Sequence, residues 1–227
     1  MYTRLNSSEI HIWRCLPQNS DADLTVLSED ERERVARFIF EKDRQFFAAC
    51  RATLRLLLQG YLDVPAADIK FSYSERGKPK LLFETDLQFN VSHSGGLAIF
   101  AFTHGCEPGV DVEKHKPMSD LENIARRFFC AEECAQLTAQ PEYERADAFF
   151  RCWTRKEAYI KATGDGLSAP LDQFQVTFLK DDDCRFVHIN GDKKEASRWT
   201  LQNLELDAGF AGAVAYRDEK RRLVYFD

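Results

Sequence analysis

Two long helical stretches, each leading into a string of short strands, set the limits on what this chain can fold into. From Leu27 to Leu62 the sequence reads as helix, opening at Ser28 with Glu31 three residues on, the spacing of a capping box. Phe38, Phe46, Phe47, Leu54, Leu57 and Leu58 supply an apolar stripe, and the length predicts two helices broken near Glu41 to Asp43. The second long helix runs from about Tyr143 to Ala162 and stops at Gly164 and Gly166. Shorter helices are expected at Leu121 to Phe129 and Glu132 to Leu137. Strands are read at Ile69 to Tyr73, Leu81 to Phe83, Phe89 to Val91, Ala98 to Thr103 and Val110 to Glu113. More follow at Phe174 to Leu179, Arg185 to Ile189, Trp199 to Leu204, Gly209 to Tyr216 and Leu223 to Phe226. Helices and meandering strands mix without the strict alternation of parallel βαβ units, so the class is α+β.

A faint echo runs through this order. Arg37-Phe38 and Phe46-Phe47 precede Asp68-Ile69, much as Arg127-Phe128 and Phe149-Phe150 precede Asp172-Gln173-Phe174. Two similar α+β halves, residues 1–108 and 109–227, account for it, and the cleft between them is where a ligand site is expected.

Composition removes other classes. A chain of 227 residues buries a substantial core without disulfides, and its seven cysteines form no regular framework, so they are read as free thiols in a reducing cytoplasm. No apolar run is long enough to cross a bilayer, and the N-terminus lacks the apolar stretch of a secretory signal. Lysines and arginines number 31 against 37 acidic residues, a net charge of -6, which argues against a nucleic-acid binder with a basic surface. The most positive segment, Arg32 to Arg55, carries seven basic residues against three acidic, and an ordinary solvated helix face explains it equally well.

The sharpest local signal is Gly109-Val110-Asp111-Val112-Glu113. Strand side chains alternate, so Asp111 and Glu113 project from one face and the valines from the other. Paired carboxylates suit Mg²⁺, which takes hard oxygen ligands; an edge strand with a polar solvent face is the bland alternative. In Phe149 to Lys161, helical periodicity places Glu157 within the sector of Phe149, Phe150, Trp153 and Ile160. A carboxylate on an apolar stripe takes up a proton or gains a cationic partner, whether a metal ion or Lys161 at i,i+4. Arg76-Gly77-Lys78-Pro79 is a turn with two cations, and Asn90 to Gly96 is a strand running into a small-residue turn; both suit phosphate oxygens. Ser92 and His93 point to opposite faces of a strand and do not form a nucleophile and base pair. A P-loop is absent, and Cys130, Cys134 and His115 lack a fourth zinc ligand.

Taken in order, the Arg-Gly-Lys-Pro turn, Asn90-Val-Ser-His-Ser-Gly, Gly109-Val-Asp-Val-Glu113 and Trp153-Thr-Arg-Lys-Glu-Ala with Lys161 resemble the 4′-phosphopantetheinyl transferases of the surfactin-synthetase-activating class. The resemblance implies a monomer of two similar halves with pseudo-twofold symmetry. It implies Mg²⁺ and coenzyme A bound between them, and transfer of the phosphopantetheine arm to a serine of an acyl or peptidyl carrier protein. By the same resemblance Asp111, Glu113 and Glu157 match the metal carboxylates, Glu157 also the acceptor of the serine proton, and Lys161 a phosphate contact. Arg44, Arg51, Arg76, Lys78, Ser92 and His93 match positions that hold the coenzyme. Glu31, Arg32, Glu33 and Arg34 stand where some members carry lysines. Lys156 is an alternative proton acceptor, read as an exposed and therefore protonated lysine. An acidic enzyme meets an acidic carrier through a local positive patch, and Arg126 and Arg127 beside Phe128 and Phe129 offer one. The rivals are a catalytically silent coenzyme-binding homologue and a Mg²⁺-dependent nuclease, the latter disfavoured by the charge balance.

Overall fold

In a computed structural model, residues 4–17, 22–166 and 169–227 are described. The chain runs β1 (Glu9–Cys15), α1 (Glu29–Ala36), α2 (Glu41–Leu62), β2 (Phe71–Tyr73), β3 (Pro79–Leu81), β4 (Leu87–Ser94), β5 (Leu97–His104) and β6 (Gly109–Lys114). It continues with α3 (Leu121–Phe128), α4 (Ala131–Thr138), α5 (Glu142–Thr163), β7 (Phe174–Val176), β8 (Phe186–Ile189), α6 (Lys193–Ala196), β9 (Thr200–Asn203), β10 (Phe210–Tyr216) and β11 (Arg222–Phe226). One sheet is ordered β11-β1-β5-β4 and a second β6-β10-β9, with β2-β3 and β7-β8 as small hairpins. Among the named pairs only β1 and β11 run parallel.

Helix entry follows the sequence. Ser28 donates its backbone N–H to Glu31 Oε2 at 3.1 Å, so the capping box forms, but the break before α2 falls at residues 37–40, ahead of the charged Glu41 to Asp43 run. A second box was not read from sequence: Cys130 caps α4, its backbone N–H donating to Glu133 Oε2 at 3.0 Å. The strand β1 was also not expected. It lies at the centre of the first sheet, with β11 crossing from the far end of the chain to pair with it.

The two long helices do not place the paired phenylalanines in step. Both long helices have 22 residues, beginning at Glu41 and Glu142, so Phe46 and Phe47 stand where Asp147 and Ala148 stand, two positions off Phe149 and Phe150. Each helix packs on its own sheet. Leu54, Leu58, Ile69, Phe89, Phe100 and Phe102 fill one core, and Phe149, Cys152, Ile160, Phe174, Ala213 and Ala215 belong to the other. A third cluster, Ile10, Ile12, Ile99, Val110, Val112 and Val214, lies where the two sheets face one another. Strand alternation therefore sends Val110 and Val112 into that interface and leaves Asp111 and Glu113 toward α5. The approach of α5 is close: a Cβ on Gly109 would run into Ala158 O and Ala162 N, so only glycine fits. All seven cysteines are free.

Candidate active site

The two sheets are stitched by side chains. Alternate residues of β4 accept backbone N–H groups of β6: Asn90 Oδ1 from Val110 at 2.8 Å, Ser92 Oγ from Val112 at 3.2 Å and Ser94 Oγ from Lys114 at 3.2 Å. A strand edge left without a neighbouring strand is thereby satisfied. The same hydroxyls hold the carboxylates, Ser92 donating to Asp111 Oδ1 at 2.9 Å and Ser94 to Glu113 Oε2 at 2.7 Å.

From the other side α5 brings Lys161 and Glu157. Lys161 Nζ donates to Asp111 Oδ1 at 2.6 Å and to Ser92 Oγ at 2.9 Å. Glu157, only 9% exposed, has no hydrogen-bond partner on Oε1, and Asp111 has none on Oδ2. Burial first and the charge of Asp111 second push the Glu157 carboxyl up to about 7, with Lys161 opposing and Glu113 adding a smaller rise. Lys161 therefore gives its ammonium to Asp111 and Ser92, across the interface from its own helix. Among the described residues no three His, Cys, Asp or Glu side chains stand close enough to hold a metal ion by themselves.

Glu157 and Lys161 line a cavity of about 290 Å³ whose walls also include Arg76, Lys78, Asn90 and Gly166. Arg76 is half-exposed, its guanidinium 3.8 Å from Asp165. Ser92 is buried and His93 exposed, as their opposite faces require; the His93 ring stands edge-on to Phe46 at 5.1 Å. Desolvation, then the charge of Lys161, lowers the His93 pKa. Arg44 and Arg51 lie outside this group. Arg44 bonds Glu41 at 2.9 Å and Phe38 O at 3.1 Å. Arg51 sits 3.4 Å from Glu31, with the rings of Phe47, Phe71 and Tyr73 around its guanidinium.

Two expectations are corrected. Lys156 is fully buried, not exposed: its ammonium lies 2.8 Å from Glu133 and donates to Leu171 O and Phe174 O at 2.8 and 2.6 Å, so it has no access to a substrate proton. Phe129 is 3% exposed and stacks on Phe149, which removes it from any surface patch. Arg126 and Arg127 are exposed, and Arg127 lies over the Phe128 ring. Asn90 and Ser94 are read from the sequence only within a strand and turn suited to phosphate, not as ties to β6. Their signal was polar residues at alternate positions of a strand otherwise rich in buried side chains.

Known proteins share this arrangement of sequence. Residues 107–215 match the 4′-phosphopantetheinyl transferase superfamily, and residues 11–104 match the family described as 4′-phosphopantetheinyl transferase, N-terminal. The chain is 39% identical over 218 residues to the 4′-phosphopantetheinyl transferase HetI of Nostoc sp., covering 93% of this chain and 89% of that protein. It is 37% identical over 165 residues to the 4′-phosphopantetheinyl transferase Sfp of Bacillus subtilis, covering 72% of each. With the human L-aminoadipate-semialdehyde dehydrogenase-phosphopantetheinyl transferase it shares 28% identity over 220 residues, 89% of this chain and 71% of that one.

Proposed function

The chain belongs to the 4′-phosphopantetheinyl transferase superfamily, and on that footing we propose that the cleft between its halves transfers the 4′-phosphopantetheine arm of coenzyme A to a serine of an apo acyl or peptidyl carrier protein. The observation that carries this reading is the Lys161–Asp111–Ser92 triangle, with the partnerless oxygen of Glu157 at the same cavity. A cation fixed beside unsatisfied acidic oxygens is an arrangement suited to a diphosphate and a divalent metal together.

The serine oxygen forms a bond to the β-phosphorus of coenzyme A as the bond to adenosine 3′,5′-bisphosphate breaks. Lys161 places fixed positive charge against the phosphate oxygens. Glu157, poised near neutrality by burial, accepts the serine proton. Asp111 Oδ2 and Glu157 Oε1 are buried, acidic and unpartnered, hard oxygens of the kind Mg²⁺ takes; these two would hold it with diphosphate and water oxygens completing its shell, Glu113 joining only by moving in from its bond with Ser94, and the ion would neutralise the diphosphate and the departing group. Arg76, Lys78, Ser92 and His93 would contact the coenzyme; Arg44 and Arg51, held by Glu41 and Glu31, would have to turn from those partners to reach it. Arg126, Arg127 and Phe128 on α3 form the positive, partly aromatic face offered to the carrier.

Incubation with coenzyme A, Mg²⁺ and an apo carrier, followed by weighing the carrier, tests the reading. A mass gain on the serine is expected. An unchanged mass across acyl and peptidyl carriers would point to the silent coenzyme-binding homologue instead.

A further inference from the structure

Lys78, in the Arg-Gly-Lys-Pro turn, does not hold its ammonium out to the cavity. Its Nζ donates to Lys161 O at 2.7 Å, to Ala162 O at 3.3 Å and to Glu107 Oε2 at 3.1 Å, which uses all three of its hydrogens. The two carbonyls belong to the last turn of α5, which ends at Gly164 with φ +80°, so neither continues into helix. A lysine at this position satisfies orphan carbonyls at the negative end of the helix dipole. Glu107, on the loop between β5 and β6, spans the arrangement from outside: its second oxygen takes Lys80 Nζ at 2.7 Å. One carboxylate thus ties both lysines of β3 and its preceding turn to the joint between the halves.

The consequence for the cavity is geometric. Arg76, two residues before Lys78, and Lys161 both line the cavity, and the carbonyl of Lys161 is in Lys78's grip. The Arg76 turn and the end of α5 are therefore joined through Glu107, Lys78 and the backbone of α5. A Cβ on Gly166 would meet Arg76 Cδ at 3.2 Å, so the turn and the segment after α5 are already close.

We propose that Glu107 is a positioning residue: through Lys78 it clamps the Arg76 turn against the end of α5 and so sets the spacing between Arg76 and Lys161 across the coenzyme site. The inference rests on the reading of this cavity as the coenzyme A site. Its test has a sign. Removing a carboxylate from beside an anion site makes the local field more positive, so electrostatics alone predicts tighter coenzyme binding. Loss of a clamp predicts weaker binding.

The experiment measures kcat and KM for coenzyme A, and KM for an apo carrier, in Glu107→Gln and Glu107→Ala, with calorimetric binding of adenosine 3′,5′-bisphosphate alongside. The clamp predicts coenzyme KM raised about tenfold in Glu107→Ala and less in the near-isosteric Glu107→Gln, with kcat within about twofold of wild type. Carrier KM stays unchanged, bisphosphate affinity falls in step with coenzyme KM, and Lys80→Met, which leaves Lys78 held, stays close to wild type. An unchanged or lowered coenzyme KM in both Glu107 variants overturns the clamp. If Arg76→Ala and Lys161→Ala also leave coenzyme KM unmoved, it is the location of the coenzyme site that fails; if they raise it, only the clamp does. Glu107→Gln keeps the shape of the side chain, so a folding defect confined to Glu107→Ala does not blunt the test.

Discussion

The first half of the molecule closes its capping box on an arginine and the second on a lysine. In the first, Glu31 receives Arg55 Nε at 2.6 Å, while Arg55 Nη1 donates to Ala66 O and Ile69 O at 2.7 and 2.9 Å. In the second, Glu133 lies 2.8 Å from Lys156, whose ammonium reaches Leu171 O and Phe174 O. In both, a carboxylate from the third position of a short helix meets a cation buried in the long helix, which in turn fixes the chain around a 3-10 turn that follows, Ala66–Asp68 in the first and Leu171–Gln173 in the second. Scaffold is what the halves share. Chemistry is not: where Asp111 and Glu113 of β6 face α5, His11 and Trp13 of β1 face α2 and both hydrogen-bond Tyr61 Oη, at 2.7 and 2.8 Å. Glu157 occupies the position that Leu56 holds in α2, by the starts of the two helices. One helix-sheet contact is sealed with rings and the other is left charged, so only the second has acidic oxygens free for a ligand.

The comparison is broken most directly at the ion pairs. Glu31→Ala and Glu133→Ala each leave a buried cation unpaired, and each is expected to cost about 3–5 kcal/mol in denaturant-induced unfolding. Glu133→Leu with Lys156→Met should recover most of that loss, because no charge then remains to be desolvated. A loss at Glu31 below about 1 kcal/mol would mean that Arg51, 3.4 Å away, makes the first half's network a different device.

How much of this frame can be read from residues depends on whether burial agrees with side-chain type. The long helices, the capping box at Ser28 and the acidic face of β6 were legible because periodicity and chemistry coincide there. The strand β1 was not, since Glu9 and His11 are polar yet buried, and polar residues interrupting Ile10 and Ile12 blur the strand signal. Lys156 misled for the same reason, a lysine with no exposure at all. The paired phenylalanines fall at different steps of the two long helices because aromatic rings fill whatever space adjoins them, whereas Glu31 and Glu133 hold the same bonding geometry at the starts of their helices. At the site, spacing marked Asp111, Glu113 and Glu157 only as candidates and paired Lys161 with Glu157, where the fold pairs it with Asp111; the family resemblance, not spacing, gave them their roles. The serine ladder could not be picked out by spacing, because its partners are backbone groups of a strand distant in sequence.

The second break separates chemistry from frame. Glu157→Gln is expected to fold and to lose about 10²–10³ in kcat, or roughly 3–4 kcal/mol of transition-state stabilisation, in a carrier-loading assay. Leu56→Gln, at the corresponding place in α2, should change kcat by less than about twofold. Comparable losses in the two variants would show that the position matters for the frame and not for the reaction.

The smallest effect sharpens the same contrast without any assay of turnover. In metal-free protein the Glu157 carboxyl is raised from 4.5 to about 7, chiefly by burial. The folded state then binds more protons than the unfolded one between those two values, so stability falls as pH rises through the window. Well below pH 4.5 both states are protonated and Glu157 costs nothing; by pH 8 the penalty is nearly complete, at about 3 kcal/mol. Glu157→Gln, which has no charge to bury, should be more stable than wild type by that amount at pH 8 and equal to it near pH 4, read from chemical denaturation in a chelator. Adding Mg²⁺ at pH 8 should then stabilise wild type and leave Glu157→Gln nearly unmoved, since an ion that binds only the folded state adds stability that grows with the logarithm of its concentration over its dissociation constant. Equal slopes with pH in the two proteins would show that Glu157 is solvated in solution, and that the charged contact between α5 and β6 is no costlier to maintain than the aromatic one between α2 and β1.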